Sequence, residues 1–111
     1  MVDQILTPGT HTAKFTWTPP AAYVGLALNA QLYLSTSPTG ATLDVPGAVQ
    51  QFTAVSGANN FSFSLTVPAT VLQYHAFIII DDGTQLLSAY SDLTDNVIIG
   101  NGGTFGPISI T

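Results

Sequence analysis

The segment Phe61-Ser62-Phe63-Ser64-Leu65-Thr66-Val67 alternates apolar and hydroxyl side chains without interruption. Successive side chains of a β-strand point to opposite faces of its sheet, so the alternation predicts a strand with one buried and one solvent-facing side. A slip of one residue would turn every apolar side chain into water. The register of this strand is therefore well defined.

The rest of the chain predicts further strands separated by turns. Residues 13–18 alternate in the same way, with Trp17 directed inward, and Pro19-Pro20 ends that strand because proline cannot donate to the ladder. Only residues 68–73 leave room for a single helical turn. About seven short strands divided by Gly, Pro, Asn and Asp are typical of a β-sandwich or a barrel. The other predicted strands cover residues 26–34, 49–55, 74–80, 86–91 and 96–99.

Composition excludes several classes of function. The chain has 111 residues, enough for one domain, and only 6% of them are charged. Lys14 is the single cation, and six Asp give a formal net charge of −5, so neither nucleic acid nor an anionic membrane is an expected partner. The absence of cysteine excludes disulfides and thiolate chemistry. No stretch is long and apolar enough to span a bilayer, and residues 1–4 lack the pattern of a signal peptide.

Five segments resemble the fibronectin type III family and related immunoglobulin-like sandwiches. Phe15-Thr16-Trp17-Thr18-Pro19-Pro20, followed by Leu32-Tyr33-Leu34, resembles strands B and C of that family. The stretch from Leu65 to Tyr74 is similar to the approach to strand F, where a Tyr closes the corner between strands E and F. Asp81-Asp82-Gly83, followed by Ser88-Ala89-Tyr90-Ser91, is similar to the F–G hairpin.

The resemblance implies a single antiparallel β-sandwich of about seven strands over residues 1–99. It also implies a binding and spacing scaffold rather than an enzyme, although a fold alone does not determine function. Within the sandwich, Trp17 is expected between the two sheets, near Tyr74 and Ile78. Residues 100–111 lie beyond the last expected strand and are interpreted as a Gly-rich hinge followed by a C-terminal strand or tail.

Residues that could carry chemistry are few. His11 and His75 are the side chains that titrate near neutrality, but no Gly-x-Ser-x-Gly nucleophile elbow accompanies them, so no enzymatic activity and no cofactor are expected. Calcium prefers carboxylate and carbonyl oxygens, which Asp81-Asp82, Asp92 and Asp95 could supply. The spaced Asp-x-Asp-x-Asp-Gly loop is missing, and turn formation is the favoured role of these carboxylates.

The sequence indicates two candidate binding surfaces. Exposed aromatic rings could stack on sugars, and the candidates are Tyr23, Tyr33, Tyr90 and Phe105. An apolar surface could instead contact a protein, because Phe77 and Ile79 point away from the core if Tyr74, Ala76, Ile78 and Ile80 fill it. Either neighbouring chains, loops or the C-terminal tail must cover such a stripe. The residues predicted for this interface are Phe77, Ile79, Phe105, Ile108 and Ile110.

A hydroxyl-rich domain that is almost free of charge is typical of extracellular assemblies. Without a signal peptide, this composition resembles bacteriophage virion proteins, which assemble in the host cytoplasm and are released by lysis. The leading prediction is a non-enzymatic virion component, such as a capsid decoration, tail or fibre domain, whose partners are copies of itself or other structural proteins. Alternatives are an accessory carbohydrate- or surface-binding module of a secreted protein and a secreted filament subunit.

Overall fold

The computed structural model describes residues 6–69, 73–91, 104–106 and 108–111. These residues form two antiparallel β-sheets and one short 3-10 helix, Ala21–Tyr23. The strands are β1 (Gly9–Thr18), β2 (Ala27–Ser35), β3 (Val45–Pro46), β4 (Gln50–Thr53), β5 (Asn59–Val67), β6 (His75–Asp81), β7 (Leu86–Ser91), β8 (Thr104–Phe105) and β9 (Ser109–Ile110).

The first sheet is built around β1. Strand β5 pairs with it along its full length, from Gly9 opposite Val67 to Trp17 opposite Asn59. The other edge of β1 pairs with the two short C-terminal strands, β8 near Trp17 and β9 near Ala13. The long β1–β5 ladder follows from the period-2 sequences of both strands, which bury alternate side chains on the same face.

The second sheet has the order β3-β2-β6-β7, and β4 also pairs with β2. Ala30 lies opposite Gln50 of β4 and opposite Ile80 of β6, while Leu34 lies opposite Val45 of β3 and opposite Ala76 of β6. Because a strand has only two edges, β3 and β4 lie on the same edge of β2. The core fills the space between the two sheets.

Aromatic rings dominate one part of this core. Phe15 stacks on Phe61 and Phe63, with ring centroids 4.9 and 5.7 Å apart. Trp17 is fully buried, and its ring meets the edge of Phe52 from the second sheet at 5.9 Å. Burial of Trp17 between the sheets is therefore confirmed. Its predicted position near Tyr74 is wrong. Phe52 pairs with Leu28, near the start of β2, whereas Tyr74 precedes His75, which pairs with Ser35 at the end of β2.

The predicted all-β fold is confirmed, and the arrangement is compatible with an immunoglobulin-like sandwich. In such domains, strands A, B and E share one sheet, and strands C, F and G share the other. Here β1 and β5 pair as B and E do, and β2, β6 and β7 pair as C, F and G do. Strands β8 and β9 occupy the place beside B that strand A takes in that family.

Several predicted elements differ from the structure. Strand β3 was not predicted, because a two-residue strand is too short to show a period. Strands β8 and β9 both lie in residues 100–111, where a single C-terminal strand or tail was expected. A 3-10 helix that was not predicted lies at Ala21–Tyr23. The helical turn considered for residues 68–73 includes residues 70–72, which lie outside the described part of the chain. The strand predicted at 96–99 and the glycine-rich segment at 100–103 also lie outside it.

Candidate functional site

Three loops meet at one end of the sandwich. The β1–β2 loop (residues 19–26), the β4–β5 loop (54–58) and the β6–β7 turn (82–85) lie together because Trp17 pairs with Asn59 and Asn29 pairs with Asp81. In immunoglobulin variable domains, loops at one end of the sandwich form the binding surface. We call this end of the sandwich the loop end.

An exposed apolar cluster lies at the loop end, and we call Val24, Leu26 and Val55 the loop-end patch. Their side chains are 41%, 44% and 52% exposed. The two loops are joined by backbone hydrogen bonds, from Gly25 N–H to the Ala54 carbonyl at 2.8 Å and from Ala54 N–H to the Leu26 carbonyl at 3.0 Å. These bonds hold the two loops that carry the three exposed side chains against each other at this end of the sandwich.

Asn59 anchors the β4–β5 loop beneath this patch. Its side chain is 8% exposed, and Nδ2 lies 3.2 Å from the Trp17 carbonyl, 3.0 Å from that of Val55 and 3.2 Å from that of Gly57. Oδ1 accepts from the Val55 N–H at 3.1 Å. One amide thus ties the loop to the end of β1. The sequence marks this segment only as a turn, because the acceptor on β1 is distant in the chain.

The carboxylates of the β6–β7 turn are engaged in local hydrogen bonds. Asp81 Oδ1 accepts from Asn29 Nδ2 and from the Gly83 N–H, each at 2.9 Å. Asp82 Oδ1 accepts from the N–H groups of Gln85 and Thr84 at 2.8 and 2.9 Å, which lowers the pKa of that carboxyl. Both carboxylates serve the turn, as favoured from the sequence.

The calcium hypothesis included Asp92 and Asp95, which lie outside the described residues. Within the described ranges, no group of three or more His, Asp or Glu side chains could hold a metal ion. The described part of the chain also contains no helix long and apolar enough to cross a bilayer.

The two histidines lie on different sheets and do not form a joint site. His11 is on β1, where its Nε2 is 2.6 Å from the Thr7 carbonyl oxygen. His75 begins β6, opposite Ser35, and is half-buried. No shared geometry brings the two imidazoles to one substrate.

The outer face of the second sheet is partly covered by the chain itself. Tyr33 and Phe77 lie opposite each other there, and their rings stack with centroids 5.5 Å apart. The β2–β3 loop (residues 36–44) crosses them, and the Tyr33 hydroxyl donates to the Gly40 carbonyl at 3.1 Å. Burial raises the pKa of the Tyr33 phenol. Asp44 holds this loop by accepting from the Thr36 N–H at 2.7 Å and from the Thr42 hydroxyl at 2.6 Å.

This cover corrects the sugar-stacking prediction for Tyr33. Its side chain is only 7% exposed, so its ring does not present a face to a sugar. Tyr23 is half-buried in the 3-10 helix and packs against the core. The side chain of Tyr90 lies outside what the structure describes. Of the predicted rings whose side chains the structure describes, none is fully exposed.

The predicted protein interface is also corrected in part. Ile108 and Ile110 are 5% and 6% exposed and belong to the core of this chain, because β9 pairs with β1. They are not part of the exposed surface, and the tail joins the first sheet instead of covering Phe77 and Ile79 on the second. Phe77 and Ile79 do point away from the core, as expected, and both are half-buried, as is Phe105.

The loop-end patch was missed by sequence reasoning. Its residues sit in loops, where an isolated Val or Leu carries no periodic signal, and their proximity depends on hydrogen bonds between segments about 30 residues apart. Comparisons of this chain with protein-family models, with curated proteins and with solved structures found no match.

Proposed function

We propose that this chain is a non-enzymatic structural domain of a protein assembly, and that the assembly is a bacteriophage virion in which it serves as a capsid decoration, tail or fibre domain. Its partners are other copies of itself or other structural proteins. It is assembled in the host cytoplasm and becomes extracellular with the particle. The fibronectin type III resemblance agrees with such a role.

The loop-end patch is the observation that carries this proposal. Exposed apolar side chains that lie together on a small domain favour a contact with another protein. Few positive charges are available for an electrostatic contact, because the chain has one cation. The outer face of β5 is polar but uncharged, and it presents Asn60, Ser62, Ser64 and Thr66. The three side chains of the patch carry no charge, so a contact made through them is held by apolar burial, which salt does not screen.

The test begins with virus-sized particles purified from a culture in which this chain is naturally produced. Density-gradient purification followed by mass spectrometry should find the chain in virus-sized particles at a fixed ratio to the major shell or tail protein. It should stay there in 1 M salt. A chain found only among free proteins would contradict the proposal.

A matched pair of variants then tests the surface. Leu26→Lys places a charge in the loop-end patch, and Leu43→Lys places the same charge at a residue that is 53% exposed in the β2–β3 loop, at the opposite end of β2. Incorporation into particles should fall for Leu26→Lys and remain for Leu43→Lys. Equal incorporation of both variants would remove the loop-end patch from the contact.

A further inference from the structure

In the described part of the chain, one edge of the first sheet has backbone groups without a backbone partner, and the direction of the backbone identifies them. Thr12 exchanges backbone hydrogen bonds with Thr111 at 3.0 and 2.9 Å, and the Gly106 N–H donates to the Thr16 carbonyl at 2.9 Å. The backbone N–H and C=O groups of even-numbered β1 residues thus point to the C-terminal strands. Backbone groups of an antiparallel strand alternate between its two edges, so odd-numbered residues of β1 face β5.

The register transfers this alternation to β5. Odd residues of β1 lie opposite odd residues of β5, as Ala13 does opposite Phe63. The N–H and C=O groups of Asn60, Ser62, Ser64 and Thr66 therefore point to the other edge of β5. The Ser62 carbonyl confirms this direction, because it accepts a hydrogen bond from Gln50 Nε2 at 2.6 Å rather than from a backbone group.

This edge has little protection against pairing. Among the described strands β5 pairs with β1 alone, and its nine residues include no proline, no charge and no break in register. Natural sheets normally guard long edges with lysine, proline, bulges or a covering segment. Among the described residues, the half-buried side chain of Gln50 is the one that protects this edge, and it occupies a single carbonyl.

We propose that two copies of this chain pair antiparallel through the free edges of β5, around a two-fold axis that passes beside Phe63. The inference deepens the proposed function, on which it rests, by naming a second copy as the partner of this edge. The axis sets Ser62 of each copy opposite Ser64 of the other, and Asn60 opposite Thr66. The edges that meet are the free ones, and Gln50 releases the Ser62 carbonyl when they join.

The edge is chemically its own complement. The even residues that come together carry hydroxyl and amide side chains, so nothing charged meets itself across the axis despite the net charge of −5. On the inner face, Phe61 comes opposite Leu65, and Phe63 opposite its own copy, so apolar side chains meet apolar ones. Isologous contacts of this kind close at two copies. Each sheet then continues through its partner, with paired backbone groups in place of hydrated ones.

The first test separates the backbone from the side chain at one position. Ser64→Pro removes an N–H that points to the free edge and that no bond within the described fold uses, whereas Ser64→Ala keeps the N–H and removes only the hydroxyl. Sedimentation velocity over rising concentration should show a dimer for the natural chain and for Ser64→Ala. Ser64→Pro should weaken dimerisation by about tenfold or more, because two symmetry-related hydrogen bonds are lost.

The second test reads the register and does not depend on the proline variant folding. The chain has no cysteine, so each introduced thiol is unique. Directly opposed Cα atoms in a hydrogen-bonded antiparallel pair are about 5.5 Å apart, within the range of a disulfide. A mixture of Ser62→Cys and Ser64→Cys copies should therefore form a disulfide-linked dimer under mild oxidation. A mixture of Asn60→Cys and Ser64→Cys copies should form far less.

Equal cross-linking in both mixtures, or a natural chain that stays monomeric at every concentration, would overturn the pairing. The proposed function fails separately, because detection of the chain in particles does not depend on β5. A chain that is present in particles but does not self-pair would leave the structural role in place and refute only the edge contact.

Discussion

Replacement of Asn59 by Ala should destabilise the sandwich more than any other single polar substitution at the loop end. The side chain is buried, its two amide hydrogens are shared among three carbonyl oxygens, and its Oδ1 satisfies the Val55 N–H. That amounts to about three full hydrogen bonds, each with a net value of roughly 0.5–1.5 kcal/mol. We expect a loss of about 2–4 kcal/mol, which for a chain of this size lowers Tm by about 8–15 °C.

Urea and thermal unfolding followed by Trp17 fluorescence would measure the effect. Trp17 is the only tryptophan of the chain, and its own carbonyl is one of the Asn59 acceptors. The control is Asn60→Ala, because Asn60 is the neighbouring residue with the same side chain and is exposed. Surface substitutions of this kind change stability by about 0.5 kcal/mol or less. Equal melting temperatures for Asn59→Ala and Asn60→Ala would refute the anchoring role of Asn59.

The isosteric variant Asn59→Asp tests the same geometry through pH. It keeps an acceptor for the Val55 N–H but directs a carboxylate at carbonyl oxygens that need donors. The folded state should therefore raise the pKa of the new carboxyl above its unfolded value. A raised pKa means that its stability is greatest below the unfolded value and falls as pH rises through the folded one. Asn59→Asp should thus gain stability relative to Asn59→Ala on acidification, and parallel pH profiles would contradict this.

Three further perturbations have expected outcomes. Trp17→Ala should cost about 3–5 kcal/mol in urea unfolding as a large truncation in the core, and a loss below 1 kcal/mol would contradict the packing. Gly40 and Gly57 both have positive φ, 75° and 86°, but only at Gly40 would a Cβ meet other atoms, the Tyr33 hydroxyl at 2.8 Å among them. Gly40→Ala should therefore lower Tm more than Gly57→Ala, which carries only the backbone cost. Hydrogen bonds from Thr42 and Thr36 lower the pKa of Asp44. The stabilising contribution of the Asp44 carboxylate is therefore present above its ordinary pKa of 3.8 and is lost as pH falls through its lowered folded-state pKa. Asp44→Asn should make the stability of the β2–β3 loop less dependent on pH in this acidic range, as measured by hydrogen exchange.

The sequence by itself determined the strands with a clear period. Residues 61–67 bury every second side chain as the alternation requires, and the strand that contains Trp17 does the same. This part could be predicted because the two-residue period of a strand is a local property of the backbone. The role of Asp82 in its turn was likewise readable, since its hydrogen bonds reach only three residues along the chain.

Tertiary structure alone decided which surfaces remain exposed. Ile110 has the same apolar character as Ile79, yet it joins the core because β9 finds a free edge of β1 nearly 100 residues away in the chain. Tyr33 is covered because a loop with Gly40 at its closest approach folds back over the sheet. Such contacts depend on which distant segments meet, and no local pattern records them. The loop-end patch and the free edge of β5 became visible only with the strand pairing, since exposure is a property of the assembled fold.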